Sequence, residues 1–470
     1  MSESAATLTA APPAKTTSPA RPDTSLAFAR ALFRPVDVAP LVYLRIVFGT
    51  VMLWEVVRHF RNGWVRHLYV EPVFHFTYPG FDWVRPWPGN GMYVHFFGLG
   101  LMAAMVAVGL CYRLAATVFF LGFAYVFLLC QSLYLNHYYL ILLVAFLLPF
   151  LPAQREWSLD VWLHPERRNR WAPAWSLWLL RAQFGIVYVY GGLAKLNADW
   201  LRGEPLRTWL ARRTDLPVVG PWLTEEWVVL GMSHGGLLLD LFVVPMLFWR
   251  PTRLLAVAAL VAFHAINATL FSIGVFPWLM LAVTPIFFPP DTLRRVLGGR
   301  AADRAEAPPS TASPIRRAAI LAALGVYLGV QVLVPLRHHL YPGEVSWTEE
   351  GHNFSWHMKL RDKLGTVQFA AIDPATGGST LIDPADYLTP RQLRKMSTRP
   401  EMILRFAHFL ADVLREDGHP RIQIRALAYA TLNGRPLQRL VGPDVDLAAQ
   451  PRVSLWPSPW IVPLRASDDL

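Results

Sequence analysis

Charge is scarce in this chain. Only 16% of its 470 residues are charged and 54% are apolar, whereas a soluble globular chain carries about a quarter charged residues. That shortage excludes an ordinary soluble enzyme and points to a polytopic membrane protein. Cysteine is nearly missing as well. Cys111 and Cys130 both sit in apolar stretches, which excludes a disulfide framework and a structural zinc site and leaves them as small buried apolar residues. The opening "MSESAATLTAAPPAKTTSPARPDTS" has no apolar h-region, so it does not read as a signal peptide. Its Ala, Pro, Ser and Thr content makes residues 1–35 an expected disordered cytoplasmic tail. There is no internal repeat, Gly-rich phosphate loop, nucleophile elbow or metal-spaced histidine pair, and no metal is expected. A net charge of +11 could suggest nucleic acid, but the arginines cluster in short loops between apolar segments, as the positive-inside bias requires, and nucleic acid is set aside.

What is present is a series of long apolar stretches. A spanning helix needs about 20 apolar residues, and nine candidates occur near 41–57, 92–111, 114–131, 138–152, 174–194, 228–249, 253–271, 273–289 and 316–336. Several are short, which leaves seven or eight true spans open. Arginines 155, 167, 168 and 170, then 250 and 253, then 294, 295, 300, 304, 316 and 317 mark three loops as cytoplasmic. The expectation is an integral protein of the inner (cytoplasmic) membrane, with its N-terminus inside and its C-terminus outside. Loops 58–91 and 196–227 also carry arginine, so the bias is only partly obeyed. Residues 36–337 form the membrane domain in this scheme. Residues 338–470 change character: "GTVQFAAID" and "RIQIRALAYATL" read as strands, "PEMILRFAHFLADVLRED" as an amphipathic helix opening at Pro400, and Asn433-Gly434 as a hairpin turn. The fold class is therefore mainly α, a membrane bundle of about nine helices followed by an extracytoplasmic α+β domain.

Candidate functional residues lie where polar groups interrupt apolar runs. In "VYVYGGLAKLNADWLRGEP", residues 187–205, Lys195 ends an apolar segment. It either snorkels to water or is kept for chemistry, since a lysine held neutral in a poorly solvated pocket can accept a proton. Gly191 and Gly192 allow another backbone or a flat ligand to approach, while Asn197, Asp199 and Trp200 supply possible partners. His137 and Asn136 stand together in "LYLNHYYL", and "FHAINATLFSIGVFPWLM" holds His264, Asn267 and Ser272. A histidine inside a membrane segment is a functional suspect. Asp240, within the sixth segment, reads mainly as a structural anchor. Trp356 and His357 fall in "SWTEEGHNFSWHMKLRDK", a mixture that could bind a peptide or form a solvated strand and turn. The topology places Lys195, His137 and His264 in the outer half of the membrane.

In order along the chain, "RIVFGTVM", "GLCYR", "NHYYL", "WSLDVWL", "YGGLAKLNADW", "HGGLLLDL", "FHAINATLFSIGVFPWLML", "WTEEGHNFSWHMK" and "LNGRPLQRLVGPDVDLA" resemble successive motifs of the vitamin K-dependent γ-glutamyl carboxylases and their bacterial relatives in the HTTM superfamily, over about residues 40–450. The resemblance implies an enzyme whose co-substrate is vitamin K hydroquinone or a menaquinol-type naphthohydroquinone. Deprotonated and oxygenated by O2, it becomes a strong base that removes a γ-proton from glutamate in a protein or peptide, and CO2 then adds while the quinone leaves as its epoxide. It further implies Lys195 as the initiating base, His137 as an assistant in the glutamate or oxygenation steps, and His264 in support.

The chain departs from the animal pattern at several points. Asn197 stands where those enzymes have Asp, which removes a negative charge from beside Lys195 if the two are close. "NATLFSIG" replaces "NSQLFSIG", one of two paired asparagines is missing before His137, and Arg361 falls where the family has a histidine. A competing expectation is a non-catalytic HTTM protein that binds a quinone, lipid or peptide. A transporter fits less well, because no inverted repeat is present.

Overall fold

The computed structural model describes residues 24–271, 273–300, 308 and 312–465; the first 23 residues of the expected tail and Ser272 lie outside the described residues. Among the described residues nine apolar helices follow one another: α1 Ala39–Arg61, α2 Gly91–Val108, α3 Tyr112–Leu129, α4 Asn136–Leu147, α5 Ala174–Ala194, α6 Glu226–Phe248, α7 Arg253–Phe271, α8 Phe276–Val283 and α9 Pro314–Leu336. Each coincides with one of the nine apolar stretches. Among the described residues seven are long and apolar enough to cross a membrane. The other two, α4 and α8, reach only Asn136–Phe150 and Phe276–Phe287 even with their 3₁₀ extensions. At about 1.5 Å per residue they are roughly 20 Å long, against a hydrocarbon core of about 30 Å.

The short helices nevertheless reverse the chain as full ones would. Strand β1, Pro35–Asp37, pairs antiparallel with β2, Trp171–Pro173. Asp37 then gathers the nearby loops. It accepts from the N–H of Ala39, the first residue of α1, at 2.9 Å, and from Arg294 Nε and Nη2 at 2.5 and 2.9 Å. Arg294 Nη2 also reaches Glu156 at 2.5 Å. Asp160 takes the N–H groups of Cys111 and Tyr112 at 2.7 and 3.0 Å. The segments before α1, between α2 and α3, after α4 and after α8 thus converge on one end of the bundle. Arg168, Arg170 and Arg294, used above as loop charges, are partly consumed by this ionic lock. One boundary is corrected. Residues 24–35 were expected in the disordered tail, but Thr24–Leu32 is helical and Pro35 opens β1. The Ala- and Leu-rich "TSLAFARAL" has good helix propensity, and β1 delivers Asp37 to the lock.

The C-terminal part is α+β. Its sheet has the order β4-β3-β5-β6, all antiparallel, from β3 Gly365–Ile372, β4 Ser379–Ile382, β5 Gln423–Ala430 and β6 Gln438–Arg439. Helix α10, Pro390–Met396, opens with a capping box between Thr389 and Gln392. Helix α11, Pro400–Glu416, lays its apolar face on the sheet, with the Phe406 ring 5.1 Å from that of Phe369. Asn433 and Gly434, at φ 49° and 79°, turn the chain between β5 and β6; asparagine and glycine are the residues that tolerate this left-handed backbone.

Polar contacts fix this domain on the bundle. Asn136 Nδ2 donates to the His357 carbonyl at 3.0 Å, and the Phe354 N–H donates to the Tyr134 hydroxyl at 2.7 Å. The Asp199 carboxylate accepts a bidentate pair from Arg435, both bonds 2.7 Å, and a bond from Asn433 at 2.9 Å.

Candidate active site

Helix α5 ends at Ala194 because Asn197 starts a new turn. Its Oδ1 accepts from Trp200 N at 2.9 Å, and its Nδ2 donates to the Ala194 carbonyl at 2.8 Å. Lys195 is left at the helix end, and its side chain turns inward rather than out. It is 5% exposed. Nζ donates to the Gly191 carbonyl at 3.0 Å and to Asp240 Oδ2 at 2.5 Å, and lies 5.4 Å from the centre of the Trp200 ring. The snorkelling alternative is thereby excluded for this conformation. Two of the three hydrogen positions on Nζ are occupied, which fixes the direction of the third.

The glycines explain how Asp240 gets there. A Cβ on Gly192 would fall 2.7 Å from Leu241 Cδ2 and 3.1 Å from its backbone N, and one on Gly191 would fall 3.2 Å from Asp240 Oδ2. Of the two approaches left open by sequence, the glycines serve a neighbouring helix, α6.

Lys195 stands on the wall of a cavity of about 1130 Å³ between the bundle and the C-terminal domain. His137, in the first turn of α4, lines it, with its ring stacked 5.8 Å from Phe276 in the first turn of α8. The two short helices both begin here, so the membrane depth they fail to fill is the cavity itself. His264 lines it from α7, 1% exposed; its Nε2 lies 3.4 Å from the Tyr188 hydroxyl and its Nδ1 has no partner. Asn136, Asn267, Trp200 and His357 also line it.

The cavity changes character along its depth. At membrane level the wall is Leu239, Ala259, Ala262, Phe263 and Ile266. Gly231 and Gly235 belong to this wall and to the outer surface of α6, and a Cβ on either would meet nothing within 4 Å. The wall on the α6 side therefore carries no side chain at these two positions. Filling this space should matter: Gly235→Leu is expected to weaken binding of a long-tailed apolar ligand about tenfold, since a few methylenes at about 0.8 kcal/mol each decide such differences. A ligand of the same head group without the tail should be far less affected, and equal effects on the two would show that the tail does not pass here.

At the end formed by the C-terminal domain the wall is cationic, made of Lys359, Arg361, Arg391, Lys395 and Arg399. Arg361 is paired with Glu349. Arg391 has no ion pair among the described residues, and Arg399 keeps a buried Nη1 without a partner. Burial lowers the affinity of Lys359 and Arg361 for their protons. Burial, followed by the charges of His338 and Arg361, pushes His357 down to about 3, so this imidazole is neutral at physiological pH, with an unpartnered Nδ1.

Seven expected site residues therefore share one cavity: Lys195, His137, His264, Asn136, Trp200, Asn267 and His357. Five others do not line it. Gly191 and Gly192 lie behind Lys195. Asn197 is spent on capping, and Asp199 on the domain clamp with Arg435, because each finds a nearer partner than the lysine. Trp356, 1% exposed, packs 5.0 Å from the Tyr139 ring instead. Ser272 lies outside the described residues. Asp240 is the main residue that sequence reasoning undervalues, since a carboxylate inside an apolar segment reads as an anchor and its partner, Lys195, is not local. The cations of the C-terminal domain are also missed, although "PRQLRKMSTRP" is a run of basic residues with no acid among them. Among the described residues no group of His, Cys, Asp and Glu is arranged to hold a metal.

Comparison with known families divides the chain at the same place as the fold. Residues 33–292 match the model of the HTTM domain, and residues 316–467 match that of the vitamin K-dependent gamma-carboxylase lumenal domain. No solved structure matches.

Proposed function

Since the chain belongs to the vitamin K-dependent gamma-carboxylase family, we propose that it couples oxygenation of a reduced naphthohydroquinone to addition of CO2 on glutamate side chains of a protein or peptide. It is an integral membrane protein, and the proposal places the C-terminal domain outside the cytoplasm and the N-terminus within it. The observation that carries the proposal is Lys195, fixed by Asp240 on the wall of a cavity that is apolar at membrane depth and cationic at its outer end. Small-molecule sites usually enclose about 300–1,000 Å³. This one, at about 1130 Å³, has room for a quinone ring and a glutamate side chain together.

The residues present fit such a co-substrate. The apolar wall between α6 and α7 suits the ring and tail of a lipid-soluble molecule, and His264, with its free Nδ1, supplies a polar group at that depth. Bound there, the hydroquinone supplies, with O2, the strong base that removes the glutamate γ-proton, and departs as an epoxide. Lys195 Nζ takes the first proton from the hydroquinone hydroxyl. Asp240 makes this possible in two ways. It holds the amine in place, and it can take up the proton that Lys195 must lose before it can act, so the pair is either ammonium–carboxylate or amine–carboxylic acid. Once the new ammonium has formed, release of the proton held by Asp240 restores the ammonium–carboxylate pair. His137, stacked on Phe276, stands at the N-terminus of α4, whose dipole favours negative charge in front of it.

The other substrate is met at the outer end. Arg391 and Arg399 are unpaired cations suited to a glutamate carboxylate, and Lys359 stands on the same wall. The outer domain roofs the cavity, which keeps water from quenching a carbanion. The test is direct. Purified protein in detergent, given a naphthohydroquinone, O2, labelled CO2 and a glutamate-rich peptide, should form both epoxide and γ-carboxyglutamate. Formation of neither would refute the proposal.

A further inference from the structure

Lysine is rare in this protein: of 44 basic residues only Lys15, Lys195, Lys359, Lys363 and Lys395 are lysines. Arginine serves wherever a permanent charge suffices, so a lysine inside the cavity calls for a reason. Three of them have visible partners. Lys195 is bound to Asp240. Lys359 lies over the rings of Trp209 and Phe271 at 5.0 and 5.1 Å. Lys363 donates to the Trp347 carbonyl and lies 3.7 Å from Glu349. The side-chain amine of Lys395, on α10, has no hydrogen bond or ion pair among the described residues, and the residue lines the cavity beside Arg361, Arg391 and Arg399. The charge of Arg399 above all, then burial and the charge of Arg361, bring its amine down to about 7. A cation is poorly placed among three arginines; an anion would be well placed.

We propose that Lys395 captures CO2 as a carbamate inside the cavity, with the anion held among Arg361, Arg391 and Arg399. The uncharged amine attacks the carbon of CO2. An N–C bond forms, one C=O π pair becomes the carboxylate charge, and the nitrogen gives one proton to water. The reverse step, protonation at nitrogen and cleavage of the N–C bond, frees CO2 within the cavity where the glutamate carbanion is proposed to form. No oxidant or reductant is required. Arginine could not do this, because its guanidinium is essentially never neutral. This role for the captured CO2 rests on the carboxylase proposal, whereas the carbamate itself does not.

The test exploits that difference. Purified full-length protein in detergent is equilibrated with ¹³C-bicarbonate and CO2, without quinone or peptide, then treated with triethyloxonium to esterify carbamates and mapped by mass spectrometry. The labelled ester should appear on Lys395, at an occupancy about tenfold or more above that on Lys363, whose amine is already occupied. It should be lost in Lys395→Arg and persist on Lys395 in Lys195→Ala. Localisation in the wild-type protein needs no variant, so misfolding of a mutant cannot obscure the answer. No label on Lys395, or equal label on Lys363, overturns the carbamate. If Lys395 is labelled while no γ-carboxyglutamate is made in the activity assay, the carbamate stands and the carboxylase proposal falls. If γ-carboxyglutamate forms without label on Lys395, the reverse holds.

Discussion

Lys195→Ala is expected to lower hydroquinone epoxidation by about 10²–10⁴-fold, the range that a positioned general base contributes, and Lys195→Arg is expected to be no better. The second variant is the informative one. Arginine keeps the charge opposite Asp240 and could keep the ion pair at 2.5 Å, so a protein that needs only a fixed cation to bind a quinone, lipid or peptide should tolerate it. A base must give up its proton, and arginine does not. The measurement is the rate of epoxide formation in detergent, with quinone binding followed separately. Loss of epoxidation with binding retained supports the base. Full epoxidation by Lys195→Arg would remove Lys195 from the chemistry, whereas quinone binding without epoxidation by the wild-type protein would favour the non-catalytic alternative.

How much of this site could be read in advance depends on the kind of information each residue carries. The nine apolar segments were legible because length and hydropathy are local properties, and every one of them is a helix. Their unequal depth was not legible. That α4 and α8 begin inside the bundle depends on where Asn136 and Phe276 meet other elements, and this shortfall is what makes room for the cavity. Lys195, His137 and His264 stood out because each is a polar group interrupting an apolar run. The partner of Lys195 did not, since sequence proximity favoured Asn197 and Asp199 while the true contact comes from 45 residues away. The clue was Gly191-Gly192, which allows a helix to pack closely but does not say which one. The ordered tail segment escaped for a similar reason: β1 is three residues long and is held by a strand more than a hundred residues away.

The largest expected effect on stability comes from separating the Lys195–Asp240 pair. Both groups are nearly inaccessible, at 5% and 3% exposure, so removing one leaves a charge in a place where water cannot reach it. Asp240→Leu alone is expected to destabilise the protein by about 3–5 kcal/mol, the usual cost of an orphaned buried charge. Lys195→Met alone should cost a similar amount, because the Asp240 carboxylate then has only distant help. The double variant Lys195→Met/Asp240→Leu should recover most of the loss, since an apolar pair of similar volume often replaces a buried ion pair at little cost. It should remain without epoxidase activity. Unfolding of all four proteins in the same detergent closes the cycle and isolates the coupling energy. A strong coupling together with an inactive, stable double variant means the pair is retained for chemistry, at no gain in stability over apolar packing. Additive losses would instead mean that Asp240 meets Lys195 without supporting it. The amine would then need another group to relieve it of its proton, and His357, neutral and with an unpartnered Nδ1 on the same wall, would be the next to examine.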